Sequence, residues 1–473
     1  MRKSIFTVAA ALLVSSTMFG QFRDGGKDGI NVFETPKTET PFNGIKTTFG
    51  GGFVQGFQTL DHSNKAVSSP KAAVNPVGAK AGTDAYDATK LTPLKSGFNL
   101  ASANLAINTL LADGISLKME LNLASRHHNE TWVKGGYLQM DKIPFLKWNF
   151  VDNIMKYTTI KVGQMEVNYG DAHFRRSDGG NALYNPFVEN NIMDEFSTEV
   201  GIEADVNYNG IIGVASVTNG LLKGNVSVVD STFDTSVTPK ELISAGKNNP
   251  AFIAKLGYDK QLNEDLRVRV TGSVYYTAGA VSGTLLGGDR TGSNYFGVMD
   301  YATPSTANAF TGRYNPGFTD KITALMGNVF VKFHGAEWFT TLESTSGRST
   351  KEATGDRKAT QIATDLVYRF GKDENFWVGA RYNIVKSQQY LAADLAAVAA
   401  TNPLSNGYSF DAVSKGMYDV KIDRVAVSAG WFITKNVMAK LEYTTQKYDG
   451  FLYNDIRSGG SFQGIVAQAV IGF

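Results

Sequence analysis

The sequence predicts an all-β fold: a transmembrane antiparallel β-barrel of about 16 strands, with one connection folded inward as a constriction loop. Three observations predict it. Short runs alternate large apolar with polar or charged residues at a period of two, as in Leu117, Met119, Leu121 and Leu123 against Lys118, Glu120 and Asn122. The connections between runs mostly alternate long and short along the chain. The two ends agree with export and membrane insertion: residues 1–20 read as a secretory signal peptide, and the last run closes on Phe473.

At the amino end, Met1-Arg2-Lys3 is basic and Ile5 to Val14 is apolar. Ser15 to Gly20 then makes a small-residue exit, which places cleavage before Gln21. The apolar run falls short of the ~20 residues a spanning helix needs. Residues 21–46 are polar and are expected in the periplasm or as a plug of the inner mouth, and 47–473 form the barrel. Strands are expected at 47–60, 97–110, 114–127, 131–141, 157–168, 198–208, 211–219 and 250–259. They continue at 265–278, 321–333, 335–346, 359–371, 375–388, 421–433, 436–449 and 461–473. A soluble one-sided sheet would show the same alternation. The connections decide: tight turns such as Asn209–Gly210, His334–Gly335 and Thr434–Lys435 trade places with polar stretches at 61–96, 169–197, 220–249, 279–320 and 389–420. Short periplasmic turns and longer outer loops are the asymmetry of outer-membrane barrels. The exception is 128–156, where a short outer turn precedes a longer inner connection, Asp141 to Lys156.

Composition fits this class. Hydrophobic residues make up 42%, which suits strands with only alternate residues toward lipid, and Phe and Tyr (29 and 20) supply an interfacial girdle. There is no cysteine, so inter-strand hydrogen bonds rather than disulfides must stabilise the exported chain. A formal net charge of +2 gives no basic field for nucleic acid.

The connection 169–197 mixes charges with aromatics: Asp171, Arg175, Arg176, Asp178, Glu189 and Asp194 among Tyr169, Phe174, Tyr184, Phe187 and Phe196. A loop in bulk water does not need those rings; a loop packed on the barrel wall does. With Gly163-Gln164-Met165-Glu166-Val167, Tyr169-Gly170-Asp171, Arg175-Arg176-Ser177-Asp178, Asn185-Pro186-Phe187 and the terminal strand, the chain resembles the trimeric porins of Gram-negative outer membranes, most nearly the O/P-type family, nominally phosphate-selective. The resemblance implies a homotrimer in outer-membrane lipid, passive passage of small hydrophilic solutes and ions, and a constriction formed by this loop. Arg175 and Arg176 would then be the constriction charges, opposed by Asp171, Asp178, Glu189 and Asp194. That family's basic ladder has no residue-by-residue counterpart here, so the solute is left open.

The alternation places Lys118, Arg126, Lys161, Arg267, Arg269, Lys332, Arg369, Arg381 and Lys440 on the lumen face, against Glu120, Glu343, Asp365 and Glu442. A basic excess in a narrow channel favours anions; cross-strand ion pairing is the other reading of the same residues. No P-loop, Gly-x-Ser-x-Gly or His-Glu-x-x-His pattern occurs, and neither His127–His128 nor the remaining histidines carry a supporting motif. An enzyme, a metal site and a cofactor are therefore not expected. A substrate-specific anion channel and a closed-lumen surface scaffold, working through loops 279–320 and 389–420, remain as alternatives.

Overall fold

The structure is a computed structural model. It describes residues 25–34, 37, 41–67, 73–74, 86–87, 89–124, 131–222, 232–234, 236, 241–244, 249–280, 283–288, 294–300, 311–350, 352, 355–391 and 416–473. The expected signal peptide, Arg126, the His127–His128 pair and most of 389–420 lie outside these residues.

Sixteen long strands close into one antiparallel barrel. They are β1 Lys46–Ser63, β2 Ser102–Ala112, β3 Ile115–Ala124, β4 Thr131–Met140, β5 Thr158–Glu166, β6 Thr198–Tyr208, β7 Ile211–Thr218 and β8 Ala251–Gln261. The remaining strands are β9 Leu266–Thr277, β10 Ile322–Phe333, β11 Ala336–Gly347, β12 Arg357–Phe370, β13 Phe376–Tyr390, β14 Met417–Thr434, β15 Val437–Asp449 and β16 Ser461–Gly472. Each pairs with the next, and β1 closes the ring on β16 from Gly52↔Gly472 to Ser63↔Ser461. The two-residue piece Gly97–Phe98 also pairs with β1. Closure leaves no open sheet edge, which is what lets strands cross lipid.

Alternation sorts the side chains. Outward positions such as Leu256, Leu325, Leu366, Phe376 and Leu441 are exposed and apolar, while their neighbours Lys255, Asp365, Trp377 and Lys440 are buried inside. The Asn209–Gly210 hairpin has φ of 50° and 87°, the two left-handed residues a type I′ turn requires. The wall is uneven in height. Strands β2–β7 have 8 to 11 residues, whereas β12–β15 have 13 to 18. A tilted strand needs ~9–11 residues to cross the bilayer, so the first wall is low and the second projects beyond the membrane.

The lumen is filled on one side. The connection 167–197 crosses it as two short 3-10 turns and extended chain, and Val188, Ile192 and Met193 pack against Leu285, Tyr295, Tyr314 and Phe318 of connection 279–320. Ile253 of β8, Tyr275 of β9, Ile322 and Met326 of β10 and Ile422 of β14 complete this core. The described parts of 279–320 therefore lie inside the barrel rather than forming an outer working surface. A strap, residues 25–34 with Lys37, crosses the mouth at the end that carries the short turns. Lys27 N donates to Lys435 O at 2.7 Å, Asn31 Nδ2 to Glu337 at 2.7 Å, and Lys37 Nζ to Asp141 O at 2.8 Å, on three separate parts of the rim. Between them Phe33 packs edge-on to Phe174 and Phe330.

Candidate channel and its inward loop

The loop is held by inward-facing polar side chains of the wall, which satisfy its backbone groups one by one. Asn383 Oδ1 accepts from Ile192 N at 2.6 Å, Gln361 Oε1 from Met193 N at 2.9 Å and Glu442 Oε2 from Val188 N at 2.7 Å. Lys440 Nζ donates to Ala182, Asn185 and Phe187 carbonyls at 2.7–3.1 Å, Arg381 to Glu189 O at 2.7 Å and Arg424 to Asn190 O at 2.8 Å. Gly170 starts the inward turn at φ 70°, and its carbonyl accepts from Lys255 at 2.5 Å.

This anchoring changes the reading of the charged residues. Arg175 is buried over the Phe339 ring, between Glu337 at 3.6 Å and Asp365 at 3.9 Å, and burial lowers its pKa. Arg176 pairs with Asp194 at 2.5 Å and Asp178 at 3.4 Å and lies on Phe196. Burial opposes ionisation of Asp171, but Lys255 and Arg269 beside it prevail and hold its carboxyl below the usual range. Glu189 is pushed up by burial and accepts from the Asn294 and Asn190 amides. All six expected constriction residues are thus packed between loop and wall, and none lines the cavity beside β3–β6 described below. A charge in that dense contact must be paired. Asp171, Arg176, Asp178 and Asp194 form ion pairs there, whereas Arg175 has its two carboxylates only at 3.6 and 3.9 Å and, among the described residues, makes no guanidinium hydrogen bond.

The expected lumen residues divide into three groups. Arg269, Arg369, Arg381 and Lys440 serve the loop and the strap: Arg269 bridges Asp171 and Glu34, Arg369 holds Glu337 at 2.7 Å, and Arg381 grips Asp365 through two bonds. Arg267 and Lys332 line an inner vestibule of about 550 Å³ beneath the strap. Lys118 and Lys161 line a cavity of about 400 Å³ beside the low wall.

That cavity runs between β3–β6 and the edge formed by strap and loop. Its polar wall contains Lys37, Lys118, Lys134, Lys156 and Lys161 together with Glu34, Glu120, Glu166, Glu203 and Asp205, with Tyr137, Tyr157 and Phe196 between them. Lys161 bonds Glu203 at 2.8 Å and Asp205 at 2.5 Å, and Lys134 meets Glu120 at 3.5 Å and also Asp178. His173 stands 3.3 Å from Glu166. Sequence reasoning missed Lys134, Glu166, Glu203 and Asp205. The signal for the last two was present, since they alternate with Ile202, Ala204 and Val206 on β6. Among the described residues no cluster of three or more His, Asp or Glu could hold a metal.

No protein-family model matches the chain, and no curated protein does. Solved structures of outer-membrane proteins are similar at low identity. An anion-selective porin from Comamonas acidovorans is 10% identical with a TM-score of 0.46, covering 91% of this chain and 100% of that one. Pseudomonas putida OprB is 10% identical with a TM-score of 0.47, covering 90% and 94%. The outer-membrane channel DcaP of Acinetobacter baumannii is 13% identical with a TM-score of 0.43, covering 91% and 98%. At these scores the likeness adds nothing to what this chain's own geometry carries.

Proposed function

We propose that this chain is a porin of the Gram-negative outer membrane, through which small hydrophilic solutes and ions diffuse passively. The observation that carries the reading is the polar cavity along the low wall, enclosed by a barrel whose outside is apolar. Water and solute would pass beside the loop rather than through its middle, because the far side of the lumen is a packed apolar core. The loop sets the width of the passage, and the cavity side chains set its charge. Five lysines face five carboxylates there, so selectivity is weak; two of the five, Lys37 and Lys156, stand together at one end and bias that end toward anions. A homotrimer and the O/P-type likeness belong to this proposal.

Purified protein in a planar bilayer with asymmetric potassium chloride tests it. Stepwise conductance with a small anion-directed reversal potential is expected, and Lys161→Gln shifts that potential toward cation preference. Arg175→Gln and Arg176→Gln change conductance through loop packing, with little change of selectivity. A second reading, a closed barrel working as a surface scaffold, is favoured by the strap and the filled high side. A folded barrel that passes no current would select it.

A further inference from the structure

The inner connection between β4 and β5 is built unlike a turn. Residues 141–157 run Asp-Lys-Ile-Pro-Phe-Leu-Lys-Trp, then the helix α1 Asn149–Met155, then Lys-Tyr. Met155 is buried beneath it, and its carbonyl accepts from Lys37 of the strap, so the underside of the segment is fastened to the barrel. Among the described residues nothing covers the upper side. Phe145 is 67% exposed, Trp148 63%, Phe150 73% and Ile154 45%. Phe150 and Ile154 are one helical turn apart and share a face. Four large apolar side chains held outward on a fastened segment are costly in water.

Their surroundings say what covers them. The segment lies at the barrel end that carries the short turns: Asp141 N donates to Gly114 O of the β2–β3 turn at 2.7 Å. It joins the outer apolar belt without a break. Tyr157 follows the helix and meets Tyr208 of β6 edge-on at 4.7 Å between ring centres, and Val206, Tyr208 and Ile211 beside it are exposed outward. Lys147 is exposed on the same segment between Phe145 and Trp148, while Lys142 pairs with Asp113 of the β2–β3 turn at 3.0 Å and Lys156 lines the cavity. Aromatic rings at the edge of a lipid belt, with a lysine among them, are the chemistry of a phospholipid interface with anionic headgroups.

We propose that residues 143–157 form an interfacial foot. Its Phe145, Trp148, Phe150 and Ile154 enter the headgroup region of the bilayer leaflet on the turn side, and Lys147 meets lipid phosphates. The proposal rests on the barrel fold and is independent of whether the lumen conducts. A foot there compensates for the low wall, whose short strands reach only to the membrane edge.

The chain has no cysteine, so Phe150→Cys carries a single spin label on the full-length protein. The label is read in phosphatidylethanolamine vesicles with and without phosphatidylglycerol. Membrane oxygen should relax it strongly and a water-soluble nickel chelate weakly. Phosphatidylglycerol should deepen that contrast, and Lys147→Glu should remove the lipid dependence. A label relaxed by nickel as freely as one at Glu264→Cys, in the exposed β8–β9 turn, overturns the proposal, because the segment then stands in water. A label shielded from both reagents and broadened by a neighbouring label also overturns it, because a second copy then covers the face. Phe145→Cys repeats the measurement should the first variant fail to fold.

Discussion

Two acidic side chains without a cation between them mark how tightly the loop is seated. Glu195 of the loop contacts Glu343 of β11, and the surrounding groups are Tyr169, Thr345 and Gln361, with Asp194 next in the chain. Burial first, and Glu343 second, hold the Glu195 carboxyl well above its usual range. A carboxyl raised in the folded state stabilises the fold below its unfolded value of ~4.3, and that stability is lost as pH rises through the folded value. Thermal unfolding of the barrel, followed by its heat-dependent gel shift, is therefore expected to move to lower temperature as pH rises above that unfolded value. Glu195→Gln, which keeps the bond from Gln361, should flatten that dependence. If the variant and the parent fall together, the pair is not the cause. The same residue illustrates what was not legible: its neighbours in sequence advertise a charged loop, but its partner is 148 positions away by number, in a strand whose inward face supplies the proton-sharing contact.

At the scale of elements, the strands were legible and the interior was not. Period-two alternation places all sixteen strands and their faces because lipid outside and polar groups inside impose it residue by residue. Lys118, Lys161, Arg269, Arg381 and Lys440 all point inward, as their register requires. Whether an inward charge meets solute or another segment depends on a loop's path through space. Arg381 and Lys440 turn out to hold loop carbonyls, and Arg175 sits on Phe339. Alternation carries no information about that. The strap follows the same logic. Its hold depends on Phe33 within an aromatic cluster and on Glu34, whose carboxylate takes Arg269 at 2.6 and 2.8 Å. Phe33→Ala costs about 3–5 kcal/mol if the site cannot collapse, and Glu34→Ala leaves the buried Arg269 with one anion fewer. The double variant is expected to free the inner mouth and to raise both single-channel conductance and its noise. Unchanged current would mean that the strap lies clear of the path.

At the scale of the molecule, the barrel is a closed ring stabilised from within as well as around its circumference. The apolar core lies between the loop and strands from β8 onward, whereas the low wall meets the loop through polar contacts such as Lys134 with Asp178 and borders the cavity and α1. Local opening is expected where fewer buried contacts hold the chain. Hydrogen exchange of the protein in lipid should protect β8–β16 more strongly than β3–β6, with α1 and Tyr157 gaining protection on transfer from detergent to a bilayer. Equal protection around the ring would show that the interior core does not reach the strands it touches.

The strap has a further consequence, in time rather than in space. Its first described residues lie against the chain's last: Gly25 packs on Phe473, and Lys27 is bonded to the turn between β14 and β15. Those contacts do not exist until β14–β16 have formed and the ring has closed on β1. The segment that emerges early must therefore wait for the segment that emerges late. Docking of the strap thus records that assembly is finished, and a protease that cuts near residue 37 would distinguish a completed barrel from one still open.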